Sequence, residues 1–151
     1  MDIQLTTIEI NEKRKLLQDY SPAQEALTIL ENNKGRFDTS FDKLWENKNG
    51  VHTFGERKSL WQVTLKELRN ELCGNEGFRA QFQEYTKNPG STPLLTGLIV
   101  SLTTLAGLPI DPAIATIIVL YLLKIGLNIF CSYTEPVGNS DSSSAKEGKV
   151  G

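Results

Sequence analysis

Tyr121, Lys124, Asn128 and Ser132 stand three, four and four residues apart, a spacing that puts a phenol, an ammonium, a carboxamide and a hydroxyl on one helical stripe. The surrounding segment is apolar: between residues 93 and 133 only Asp111 and Lys124 carry charge. An ammonium in such a segment needs a protein or water partner, because at mid-membrane it costs about 2.5 to 3.5 kcal/mol on insertion scales. The stripe suits hydrogen bonding within one hairpin, or a polar path where several hairpins meet. Thr116 falls on another side, and toward the turn the face continues as the apolar Ile117. Upstream, Gly97, Ser101 and Thr104 share a face of small and hydroxyl residues, which lets helix backbones approach closely.

Catalytic patterns are missing. His52 is the sole histidine, leaving little for a histidine-based metal site or a Ser-His-Asp arrangement. It falls in an expected loop, Val51 to Gly55. No GxGxxG or GxxxxGK[ST] run offers a phosphate cradle. The expectation is a non-enzymatic protein without metal or cofactor. Cys73 and Cys131 are the only cysteines. One follows a polar helix and the other lies in an apolar run. A disulfide framework is therefore not expected, and an intracellular setting is. The start, MDIQLTTIEINEKRK, lacks the charged-then-apolar pattern of a secretory signal. The formal net charge of −2 provides no basic field for nucleic acid.

Helical elements must position these residues. Helices are expected from about Thr7 to Tyr20, although Ile3, Leu5, Ile8 and Ile10 half-suggest a strand, and from Ser21, where Ser-Pro-Ala-Gln resembles an N-cap serine, a first-turn proline and a capping-box glutamine. Ala23, Leu27 and Leu30 mark that helix's apolar face, and Gly35 lies past its end. Shorter helices follow over about Ser40 to Lys48, Glu56 to Cys73 and Asn75 to Lys87. Trp61, Leu65, Leu68 and Leu72 recur on one face, as do Phe78, Phe82 and Tyr85. Lys13-Arg14-Lys15 and Arg57-Lys58 read as solvated faces, with lipid headgroups as the alternative partner. Thr92-Pro93 and Asp111-Pro112 each place a cap before a proline. They open two apolar helices, about Pro93 to Ala106 and Pro112 to Tyr133, joined by a turn around Gly107 and Pro109.

The fold expected is all-α, in three parts: a helical interaction or adaptor module (residues 1–90), a hydrophobic hairpin (91–134) and a disordered tail (135–151). At about 1.5 Å per residue the second apolar helix reaches roughly 30 Å, a bilayer core, and the first only about 21 Å. Residues 1–90 look too small and too charged to wrap two helices that are apolar nearly all round. The favoured expectation is thus a membrane-associated protein with both termini cytoplasmic. The hairpin would anchor it or perturb the bilayer, and residues 1–90 would receive a protein partner. The alternative is a cytoplasmic, soluble helical interaction module whose hairpin is its core or an oligomer interface.

Overall fold

The computed structural model describes residues 3–49, 60–105 and 110–132. Its elements are α1 (Thr7–Leu16), α2 (Ser21–Asn32), α3 (Phe37–Asn49), α4 (Leu60–Leu72), α5 (Glu76–Lys87), α6 (Thr92–Leu105), α7 (Pro112–Ile125) and α8 (Leu127–Ser132). The described chain is all-helical apart from one isolated bridge between Gln4 and Arg36. The expected His52 loop, the Arg57-Lys58 pair, the Gly107–Pro109 turn and the tail lie outside the described residues.

Helix starts follow side-chain chemistry, not always at the residue expected. Thr6 caps α1 reciprocally with Glu9 in a capping box. Asn75 accepts from the Phe78 N–H to start α5, and Asp111 accepts from the Ile114 N–H to start α7. At α2 the expected serine cap is not made. The helix includes Ser21, Tyr20 stands at the cap position without a side-chain bond, and Gln24 instead donates to the Leu17 carbonyl at 2.8 Å. At α6 the cap is Ser91, whose Oγ accepts from the Leu94 N–H. Thr92 is thereby freed to donate to the Leu16 carbonyl at the end of α1. The α1 helix stops at Leu16, four residues short of the expectation.

The apolar residues before α1 do act partly as extended chain. The Leu5 N–H donates to the Gly35 carbonyl. Gly35 has φ +81°, and the Leu5 carbonyl oxygen occupies the place a β-carbon would need. Only glycine fits there without displacing the strap.

The core is organised around α7. Every residue from Ala113 to Leu120, and Leu122, is at most 1% exposed. This helix packs against α2, α6 and α3, which bring Ala23, Ala26, Leu27 and Leu30, then Leu95, Leu98 and Leu102, then Phe37, Phe41 and Leu44, all buried. Thr116, polar and fully buried, donates to the Pro112 carbonyl one turn back, so its hydroxyl is satisfied within the helix. The buried side chains of residues 1–90 and of the two apolar helices form one cluster.

These contacts overturn the membrane expectation. Among the described residues no helix is long and apolar enough to cross a membrane. The second apolar helix is not continuous to Tyr133: it stops at Ile125, Gly126 takes φ +94°, and six-residue α8 continues from Leu127. The estimate of some 30 Å ran through that glycine. Two of the polar helices, α2 and α3, join α6 in covering α7, each contributing an apolar stripe to it.

Trp61 anchors the second part of the core. It is 7% exposed, its backbone N–H donates to Asp42, and its ring lies near those of Phe41 and Tyr121, with centroids at 5.3 and 4.8 Å. Edge-to-face aromatic pairs add to plain burial. Trp61→Ala is expected to lower stability by about 3 to 5 kcal/mol. Urea unfolding followed by far-UV circular dichroism checks this, and an unchanged midpoint would remove Trp61 from the core.

Candidate functional site

The four stripe residues do not share an environment. Tyr121 is half-buried in the aromatic cluster, edge-on to Phe37 and Trp61. Lys124 reaches the other end of the chain, where its Nζ donates to both carboxylate oxygens of Glu9 at 2.9 and 3.0 Å. Asn128 lies beyond the Gly126 break and accepts from Arg79 of α5 at 3.2 Å. Ser132 is exposed at the end of α8. The glycine break and three different partners dissolve the stripe. The reading of it as the wall of a polar path through assembled membrane hairpins falls with the membrane expectation. Of the small-residue face, Ser101 donates to Gln81 of α5 at 2.8 Å and Gly97 lies beside the same side chain. Thr104 is exposed and its hydroxyl turns back to the Ser101 carbonyl.

Glu9 has its carboxyl held below its ordinary value of 4.5. The Thr6 N–H that donates to it is the main cause; partial burial opposes the shift and Lys124 supports it. The basic cluster of α1 is likewise engaged in part, since Arg14 pairs with Glu31 at 2.7 Å.

A further arrangement of reactive and charged groups, which sequence reasoning missed, joins α4, α5 and α8. Cys73, just after α4, and Cys131, in α8, form a disulfide with Cα atoms 5.6 Å apart. This corrects the expectation of two unrelated thiols, and it removes the argument for a reducing, intracellular setting that rested on them. Both residues are half-buried. The Arg79 guanidinium lies against the bridge, with Nη1 3.7 Å from Cys131 Sγ and 3.5 Å from the Cys73 carbonyl, and Nη2 on Asn128. Arg69 of α4 holds the other side of α8: its Nε donates to the Phe130 carbonyl, and its guanidinium lies 5.0 Å from the centre of the Phe130 ring. An even cysteine count, with each cysteine at a helix end, was the available signal. Nothing in the local pattern could say that residues so far apart in sequence meet.

Beside this clasp, α5 and α8 border a cleft of about 220 Å³, lined by Arg79, Phe82, Gln83, Thr86, Leu127 and Ile129 among others. Ligand pockets for small organic molecules run to about 300–1,000 Å³, so the cleft suits a single side chain better than a cofactor.

The ion pair between Glu9 and Lys124 yields a pH prediction. A carboxyl whose folded pKa lies below its unfolded value stabilises the fold above that unfolded value, and loses the contribution as pH falls through the folded one. Glu9→Gln should lower stability at neutral pH by about 0.2 to 1 kcal/mol, the range for exposed pairs. Between about pH 5 and pH 3 it should lose less stability than the wild type. Urea midpoints across that range measure the difference, and parallel pH profiles would separate Glu9 from acid destabilisation.

Compared with protein-family models, with curated proteins and with solved structures, the chain finds no match in any of the three.

Proposed function

We propose that this chain is a non-enzymatic, helical protein–protein interaction module whose apolar hairpin is its own core, and that residues 1–90 supply the partner-facing surface. The observation that carries the proposal is the burial of nine of the fourteen residues of α7, Ala113 to Leu120 and Leu122, beneath α2, α3 and α6. Over Ala113 to Leu120 the helix has no apolar face left for lipid or for a second copy, so contacts with other molecules fall to the outer helices. Their outward faces are rich in both signs of charge. They also carry isolated exposed aliphatic side chains, Ile8 on α1 and Val63 on α4. A non-obligate interface has about the polarity of ordinary protein surface, and its affinity concentrates in a few anchors, a role that these aliphatic side chains can fill.

Two measurements test this reading. The full chain, purified without detergent, should run as one monodisperse species by light scattering; dependence on detergent, or large heterogeneous aggregates, would defeat the assignment of the hairpin to the core. A photo-crosslinking residue placed in cells at Ile8, Val63 or Gln83 should yield a discrete protein adduct from at least one position, competed by untagged chain. Absence of adducts at all three, or adducts only from Val100 and Ile129, would defeat the assignment of the surface.

A further inference from the structure

We infer that the Cys73–Cys131 disulfide is a redox clasp on α8: reduction by a dithiol frees α8 to swing about Gly126 and uncover the apolar surface beneath it, while the α7-centred bundle stays folded. The inference rests on the geometry of α8 alone and is independent of the proposed interaction surface.

The element is built to be held from outside. It has six residues, too few to persist as a helix without tertiary support. Gly126 joins it to α7 at φ +94°, a conformation glycine adopts freely. A β-carbon at Gly126 would meet, within 4 Å, only Ile129 of α8 itself, so the joint is not wedged against the bundle. Among the described residues, α8 is attached to the rest through the disulfide, Arg79 on Asn128 and on Cys131 Sγ, Arg69 on Phe130, and the burial of Leu127 and Phe130. The covalent link is the one that chemistry can remove without changing the sequence. Release would expose Leu127 and Phe130 and open the side of the cleft that α8 forms, adding to Ile129, which is already 61% exposed.

The surroundings of the bridge also set the direction of attack. Both cysteines are half-buried rather than sealed, so a thiol can approach. Arg79 Nη1 lies 3.7 Å from Cys131 Sγ, and a guanidinium there stabilises a thiolate on that sulfur, making it the better leaving group. The incoming thiolate therefore attacks Cys73 Sγ. A new S–S bond forms between the reductant and Cys73, the Cys73–Cys131 bond breaks, and its electron pair leaves on Cys131 as thiolate. The second thiol of the dithiol then displaces Cys73. The reductant departs as a cyclic disulfide, and the two cysteines take up the two electrons and two protons.

Hydrogen exchange of the full chain, oxidised and after dithiothreitol treatment, tests the clasp. Exchange in residues 127–132 should accelerate to near-unprotected rates. Protection in α2, α3 and α7 should be retained, and the fluorescence of Trp45 and Trp61 should stay unchanged. Unaltered protection of 127–132 after complete reduction, judged by alkylation of both cysteines, would overturn the inference. So would loss of protection throughout the bundle, which would make the disulfide a staple of the whole fold. A Cys73→Ser, Cys131→Ser double variant should reproduce the reduced pattern; if it fails to fold, reduced wild type still decides. Glutathione trapping addresses the direction of attack. The mixed disulfide should form predominantly on Cys73 in the wild type, and that preference should fall in Arg79→Gln. A mixed disulfide on Cys131, or an unchanged preference in Arg79→Gln, would overturn the role given to Arg79.

Discussion

A helix that is apolar nearly all round has to be enclosed, and the requirement to enclose α7 shapes the rest of this chain. Nine of its fourteen residues are buried, and only neighbours on several sides can remove that much surface from water. The α2, α3 and α6 helices are those neighbours, and each turns its apolar stripe inward. The polar attachments hold the wrapping in register without adding much energy. Lys48 of α3 lies 2.9 Å from Glu25 of α2 and 3.5 Å from Asp111, the residue that caps α7. Lys124 ties the far end of α7 to Glu9. Thr92 fastens the start of α6 to the end of α1. All but the Lys48–Glu25 pair, which ties consecutive helices, join elements distant in sequence; the ion pairs are part-exposed, where charges keep their water.

The peripheral elements are secured differently. The α4 helix is fixed through Trp61 and the aromatic rings around it, whereas α8 is fixed by sulfur and two guanidinium groups. The molecule thus combines an apolar centre, which no single bond controls, with a short appendage in which one covalent bond matters greatly.

How far the sequence foretold this depended on whether the signal was local. Periodicity located the apolar faces of α4 and α5 residue by residue, since Trp61, Leu65, Leu68 and Leu72, then Phe78, Phe82 and Tyr85, needed only their own spacing. Asp111-Pro112 identified the start of α7 for the same reason. Local competition misled the reading at Ser21 and Thr92, where Gln24 and Ser91 took up other bonds and shifted the caps. Gly126 gives no local sign of a break, because one glycine in a long apolar run is tolerated in many helices; here it breaks the helix and the stripe with it. The membrane expectation failed on a non-local question. Hydrophobicity told that α7 avoids water, but lipid and protein satisfy that demand alike, and the choice lay in the inward faces of α2 and α3. The disulfide was illegible for the same reason, because its two cysteines are 58 residues apart.

That separation has a mechanical meaning. With the bridge intact, residues 73 to 131 form a closed ring that takes in α5, α6 and α7. A force applied at the chain ends bypasses the ring through two sulfur atoms, and about 200 Å of extended contour is withheld from stretching. A peptide bond cut anywhere inside the ring would likewise leave both fragments joined, so the wrapped helix cannot be shed by a single cleavage.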